Sequence, residues 1–266
     1  MTRLKDKVIW LTGASSGIGE ALAYALAETG ARLILSSRRK EALERVKGNC
    51  PSDVQPRVRT LPLDLEKPDM LRLSVEAAIQ MFGQIDILIN NAGITQRSLA
   101  AETSLAVDRK LMEINYFGPV ALIKYLLPHF IRRKHGHIVN ITSLTGKFGT
   151  PYRSGYAASK HALHGFSDAL RAEHFKDNIR VTMICPGFIR TNLTLSALTA
   201  DGSPLNKMDE AQYKGKSAQW CAGKIVSAIE KEKQEVYIGG REVFAVYIKK
   251  FFPEIFSNII RRVAVR

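Results

Sequence analysis

The stretch Thr12-Gly13-Ala14-Ser15-Ser16-Gly17-Ile18-Gly19 decides the fold. It follows an apolar run at 7–12 and leads at once into a segment of helical period, 17–28, with Ile18, Leu22, Ala25 and Leu26 on one face. Glycines at 13, 17 and 19 allow a tight turn and leave the next helix N-terminus open, where unsatisfied N–H groups and the helix dipole favour an anion. Strand, glycine turn and helix in that order form the pyrophosphate corner of a dinucleotide fold. Ser15 and Ser16 add hydroxyl donors there.

Outward from this corner the pattern repeats. Residues 32–36, 58–63, 86–90, 137–141 and 179–185 read as strands. Helical periodicity covers 39–47, 66–82 and 154–175, and two helices within 104–134 are expected to break near 115–118. Ile87-Leu88-Ile89 has no polar alternation, as in a strand covered on both faces. Repeated βα units of this length predict an α/β fold: a doubly wound parallel sheet (Rossmann-type), a single domain with helices on both faces. That domain is read as 1–240, including a polar, turn-rich connection at 188–215 long enough to be a lid. Residues 241–266 read as an amphipathic basic tail.

The 266 residues carry 39 Lys+Arg against 25 Asp+Glu, a net charge of +14, with 45% hydrophobic residues, which excludes a wholly disordered chain. Three cysteines, far apart and odd in number, exclude a disulfide scaffold and suit a reducing compartment, so a cytoplasmic location is expected. Neither an export signal nor an apolar run of about 20 residues is visible. The positive balance favours anionic partners, but the cations are scattered and no zinc-finger or aromatic–basic motif accompanies them, which argues against nucleic acid. His135/His137 and His161/His164 lack companion ligands at metal spacing, so no metal is expected, and Cys185 reads as a small buried hydrophobe.

Further chemistry falls at the strand ends. The second strand runs into Ser37-Arg38-Arg39, where an acid would bind a ribose 2′-hydroxyl and an Arg a 2′-phosphate. Ser37 at the acid position followed by Arg38 therefore selects NADP(H) over NAD(H). Asp64 and Leu65 follow the third strand as adenine contacts, and Asn91, Ala92 and Gly93 close the fourth. Asn115, Ser143, Tyr156, Lys160 and the run Pro186-Gly187-Phe188-Ile189-Arg190-Thr191 follow in order. Tyr156 and Lys160 stand four apart, one helical turn on one face. An ammonium beside a phenol, with a positive nicotinamide ring, would lower the phenol pKa towards working pH.

This ordered set resembles the short-chain dehydrogenase/reductase family over about residues 5–240. The resemblance implies Tyr156 as general acid/base, Lys160 holding the nicotinamide ribose, Ser143 binding the substrate carbonyl, Asn115 holding a relay water and Thr191 the carboxamide. The activity implied is hydride transfer between a nicotinamide cofactor and a carbonyl or secondary alcohol. The last strand, Glu235 to Gly240, lacks the Asp-Gly-Gly of the family's tetramers and 26 residues follow it, so a homo-oligomer is expected with a dimer favoured. The tail resembles that of the branch catalogued as dehydrogenase/reductase member seven.

The expected substrate walls at 94–98, 144–148, Tyr152 and 188–215 lean apolar and point to a hydrophobic substrate. Arg97 and Lys147 near the mouth would instead suit a 3-oxoacyl thioester on an acidic carrier. A non-catalytic NADP(H)-sensing interaction protein is the alternative of another class. In the tail, Phe252, Ile255, Phe256, Ile259, Ile260 and Val263 form one helical stripe after Pro253, flanked by Lys249, Lys250, Arg261, Arg262 and Arg266. Such a helix docks on its own domain, on a partner subunit or on a membrane surface.

Overall fold

Alternate side chains of the first strand, β1 (Val8–Thr12), leave opposite faces, and both faces are buried. Ile9 and Leu11 join a core with Leu22 and Leu26 of α1 (Gly17–Glu28), Leu43 and Val46 of α2 (Lys40–Gly48) and Ile225 of α8 (Ala218–Glu230). Val8 and Trp10 join the other core, built from α3 (Pro68–Phe82), α5 (Gly118–Arg133) and α6 (Ser154–Glu173). The computed structural model describes residues 3–262.

The central sheet has seven parallel strands: β1, β2 (Arg32–Ser36), β3 (Val58–Thr60), β4 (Ile87–Asn90), β5 (Gly136–Ile141), β6 (Ile179–Pro186) and β9 (Glu235–Ile238). They are ordered β3-β2-β1-β4-β5-β6-β9. The order reverses between β1 and β4, so the crevice for a ligand opens at the carboxyl ends of those two strands. A separate parallel pair, β7 (Ile189–Arg190) and β8 (Lys216–Ser217), closes the base of the 188–215 segment.

Three features differ from the sequence reading. The two helices expected before β5 are present, but their break starts earlier and is a wide turn, Glu113–Phe117, that joins α4 (Leu105–Met112) to α5. There Gly118 N–H bonds the Glu113 carbonyl, five residues back, which absorbs one extra residue without ending the helix. The 188–215 segment is folded rather than open; it holds a short helix, α7 (Glu210–Tyr213), and returns chain to chain through Leu198 N–H to the Thr95 carbonyl at 2.9 Å. The tail forms two helices, α9 (Phe244–Phe251) and α10 (Pro253–Ile260), because Pro253 stops the first and starts the second. The expected stripe residue Val263 and the flanking Arg266 lie outside the described residues.

Candidate active site

The glycine turn is fixed from beneath. Thr12 Oγ1 accepts from the backbone N–H groups of Asn91 and Ala92 at 3.1 and 3.2 Å. Asn91 Nδ2 in turn donates to the carbonyls of Thr12 and Gly13, both at 3.1 Å. Gly13 has φ +66, and a Cβ there would lie 2.7 Å from Ala92 Cα. A Cβ on Gly19 would overlap the Gly13 carbonyl oxygen. Side chains are therefore excluded from both positions. The N-cap of α1, Ser16, makes no side-chain capping bond, so the first-turn N–H groups are left for an incoming anion.

A cleft of about 1010 Å³ runs along the carboxyl edge of the sheet. Its lining contains Gly13, Ser15, Ser16, Gly17, Ile18, Gly19, Ser37, Arg38, Arg39, Asp64, Leu65, Asn91, Ala92, Gly93, Ser143, Tyr156, Lys160, Pro186, Gly187, Ile189 and Thr191. A cation at one end, an uncapped helix N-terminus in the middle and the Tyr156/Lys160 pair at the other fit the length and charge pattern of a dinucleotide. Arg38 is exposed and lies 3.7 Å from Glu66, a loose pairing that leaves its guanidinium at the rim.

Lys160 and Tyr156 are buried on consecutive turns of α6, at 4% and 8% exposure, with the ammonium 5.8 Å from the Tyr156 ring centroid. Lys160 Nζ donates to the Ile141 carbonyl at 3.1 Å, and burial lowers its pKa to about 8. Burial pushes the Tyr156 phenol above its ordinary value. The groups that oppose this shift are Arg153, the Ser143 hydroxyl and Arg97. Lys160 stands one turn away, its ammonium 5.8 Å from the ring centroid, so the guanidinium groups add to a positive surrounding on that side of the phenol. Ser143 caps the short 3-10 turn Leu144–Gly146, accepting from Thr145 N–H at 3.2 Å and donating to the Pro186 carbonyl at 3.4 Å.

Asn115 does not line the cleft. It is wholly buried in the wide turn after α4, and both of its side-chain N–H donors are engaged. Oδ1 accepts from Ile94 N–H at 2.9 Å, while Nδ2 donates to the Ile94 carbonyl and to Ser159 Oγ, both at 3.0 Å. The side chain thus ties the end of β4 to α6, with both amide hydrogens spent and one Oδ1 lone pair remaining.

Arg97 and Lys147 are not anion receptors at the mouth, as the sequence reading had them. Arg97 and Arg153 turn inward and share the buried carboxylate of Asp209, at 3.3 and 3.4 Å. Lys147 pairs with Glu235 at 2.8 Å. Of the expected walls, 144–148 and Tyr152 stay off the cleft; its apolar wall is Ile94, Ile114, Leu193 and Leu198. His164, Cys185 and Glu235 bring potential ligand atoms within 4.8 Å of one another, but Lys147 already takes the Glu235 carboxylate. Cys185 is fully buried with its thiol pushed up to about 12.

Residues that sequence spacing did not single out support this arrangement. Gln96, fully buried, accepts from Gly155 and Tyr156 N–H at 2.9 and 3.3 Å, closing the N-terminus of α6, and donates to Thr103 Oγ1 at 2.7 Å. Gln212 Nε2 donates to Thr191 Oγ1 at 3.0 Å and so ties α7 to the cleft. Asp209 caps α7 through Ala211 N–H at 2.9 Å while it holds both arginines.

Known proteins share this plan. A short chain dehydrogenase family model matches residues 7–201. The bovine dehydrogenase/reductase SDR family member 7B is 43% identical over 263 residues, covering 97% of this chain and 81% of that protein. The human dehydrogenase/reductase SDR family member 7 is 41% identical over 255 residues, covering 94% and 75%. Among solved structures, a short-chain dehydrogenase from Streptomyces avermitilis superposes with a TM-score of 0.80 at 29% identity over 97% of this chain and 96% of its own. One from Burkholderia phymatum, solved in complex with NAD, has the same fold, with a TM-score of 0.83 at 23% identity and 96% coverage of each chain. A glycine turn opening on the switch point of a parallel sheet, a Tyr and a Lys buried one turn apart beside Ser143, and a family match across most of the chain have one common account: this protein belongs to the short-chain dehydrogenase/reductase family of oxidoreductases.

Proposed function

We propose that the chain is an NADP(H)-dependent carbonyl reductase that converts a hydrophobic ketone or aldehyde to the alcohol, with Tyr156 as general acid. The observation that carries this reading is the convergence of Ser143, Tyr156 and Lys160 at one end of the cleft whose other end holds Arg38. When bound, the nicotinamide supplies the hydride that reaches the carbonyl carbon. Tyr156 Oη gives its proton to the carbonyl oxygen. Ser143 Oγ would turn its one proton from the Pro186 carbonyl, a long bond at 3.4 Å, to the same oxygen. Lys160, anchored by the Ile141 carbonyl, presents its remaining N–H donors to the ribose hydroxyls. A phenol is protonated at neutral pH and so has a proton to hand to a carbonyl oxygen, which supports the reductive direction. Ile94, Leu193 and Leu198 supply an apolar wall, which supports a hydrophobic substrate. With Arg97 and Lys147 both engaged, nothing at the mouth favours an acyl-carrier thioester.

Two measurements test this. NADPH should bind at least about tenfold more tightly than NADH, about 1.4 kcal/mol, and Arg38→Asp should erase that margin in a calorimetric titration. Equal binding of both cofactors by the wild-type chain would remove the NADP(H) assignment. Tyr156→Phe should lower kcat for carbonyl reduction by about 10²–10⁴-fold while cofactor affinity holds. Undiminished turnover in that variant would overturn the assignment of the acid, and a wild-type chain that binds NADPH without reducing any carbonyl would favour the sensor reading.

A further inference from the structure

The two tail helices are each amphipathic, yet only one stripe of each is covered by protein. Val246 and Phe256 are buried against Leu144 and Phe148 of the segment that follows Ser143. The Phe148 and Phe256 rings sit 5.1 Å apart. The opposite stripe is bare. In α9, Phe244, Tyr247 and Phe251 fall at i, i+3 and i+7; Ile255 and Ile259 stand one turn apart on α10, and Phe252 is the residue that precedes it. All six are exposed, Phe244 at 65%, Phe251 at 63% and Ile255 at 55%. Of the sixteen exposed large hydrophobic side chains among the described residues, these six crowd into sixteen consecutive positions. That density marks an interaction surface rather than scattered surface apolars.

Charge selects the occupant. Arg241, Lys249, Lys250, Arg261 and Arg262 are exposed around the bare stripes, and among the described residues none of them forms an ion pair. Of the two acids in the same stretch, Glu242 turns inward, its carboxylate accepting from Phe188 N–H at 3.1 Å, which leaves Glu254 alone outside. Lys249 and Lys250 lay their ammonium groups 5.7 and 5.4 Å from the Phe256 and Phe251 ring centroids, apolar stem down and charge outward. A second copy of the chain seated on this patch would bring the same cations face to face, on a protein already at +14. An anionic bilayer surface satisfies both features: acyl chains take the aromatic and aliphatic stripe, and acidic headgroups take the cations.

We propose that α9 and α10 dock the protein onto anionic lipid bilayers, lying in the interface rather than crossing it. No helix among the described residues is long and apolar enough to cross a membrane. The proposal stands independently of the catalytic reading above. It is tested with the full chain by co-sedimentation with phosphatidylcholine vesicles with and without about 30% phosphatidylserine, at low and high salt. The wild-type chain should bind the anionic vesicles, lose binding as salt rises, and ignore neutral ones. A Phe251→Ser/Ile255→Ser/Ile259→Ser variant keeps Val246 and Phe256 and should keep its fold by circular dichroism, yet bind about tenfold or more weakly. Lys249→Glu/Lys250→Glu, which keeps all six bare apolar side chains, should lose binding to a similar degree. Absence of binding to anionic vesicles, or binding that neither variant weakens, would overturn the proposal. So would a sedimentation velocity result in which the wild-type chain self-associates and both variants abolish that association.

Discussion

Lys160 carries a cost that its function explains. Its pKa falls from the ordinary 10.5 to about 8 because burial penalises the ammonium. Between pH 8 and 10.5 the unfolded chain binds the proton more tightly than the native one, so native stability rises with pH across that window. Below pH 8 both states are charged and the native state bears the full penalty. Lys160→Met should therefore be more stable than wild type at pH 7 by about 1–3 kcal/mol, after the lost bond to Ile141 is counted. That advantage should fade by pH 10.5, while the proposed reductase activity should be lost at every pH. Denaturant melts at pH 7 and pH 10 check it; a variant less stable at pH 7 would contradict the burial argument. The pairing of Tyr156 with Lys160 was legible from a spacing of four on one helix, because that geometry is local. The guanidinium charges acting on the phenol were not: Arg153 is three residues away in sequence, but its inward turn depends on Asp209, 56 residues on.

At the scale of elements, one buried carboxylate anchors the 188–215 segment beside its backbone ties to Thr95 and the β7–β8 pair. Asp209 is 3% exposed, caps α7, and neutralises two guanidinium groups, each buried with an Nε that has no partner. Burial lowers the Arg153 pKa to about 10, the mark of a cation poorly compensated. Asp209→Ala would leave two positive charges buried together, at a cost of about 3–5 kcal/mol. Part of that cost is relieved if the segment opens. Limited proteolysis should then cut the variant within 192–215 at protease levels that spare the wild type, and calorimetry should record a lower Tm. A protease-resistant variant with unchanged Tm would show that β7, β8 and Gln212 suffice to close the segment. The sequence marked this stretch as a lid from its length and turn residues, yet gave no sign of the lock, since Arg97 and Asp209 are 112 residues apart.

Across the whole molecule, the tail finishes a core that the seven-stranded sheet leaves open. Phe256, Val246, Leu144 and Phe148 close over Cys185 at the end of β6, beside the strand β9 that forms the sheet edge. Phe256→Ala should cost about 3–5 kcal/mol, because the cavity lies between a helix and a sheet end with little room to collapse. All three cysteines are buried, and the Cys185 thiol is held up to about 12, so the native wild-type chain should react slowly with a thiol reagent. Phe256→Ala should expose Cys185 to labelling before global unfolding. Labelling that stays at the wild-type rate would mean that Lys147, Glu235 and the β9 edge shield the thiol unaided.

What the sequence determined by itself was everything written in short-range signals. The strand and helix periods, the glycine turn at 13–19, the Tyr156/Lys160 spacing and the order of the strand-end residues depend on neighbours within a few positions, and backbone sterics alone make them readable. The tertiary structure decided which distant side chains meet. Gln96 closes the N-terminus of α6 from 59 residues away, Asn115 braces Ile94 against Ser159 of α6, and Arg97 turns from the mouth to Asp209. Buried polar groups must find partners wherever the packed chain offers them. That demand acts through space, so spacing along the chain carries no trace of it.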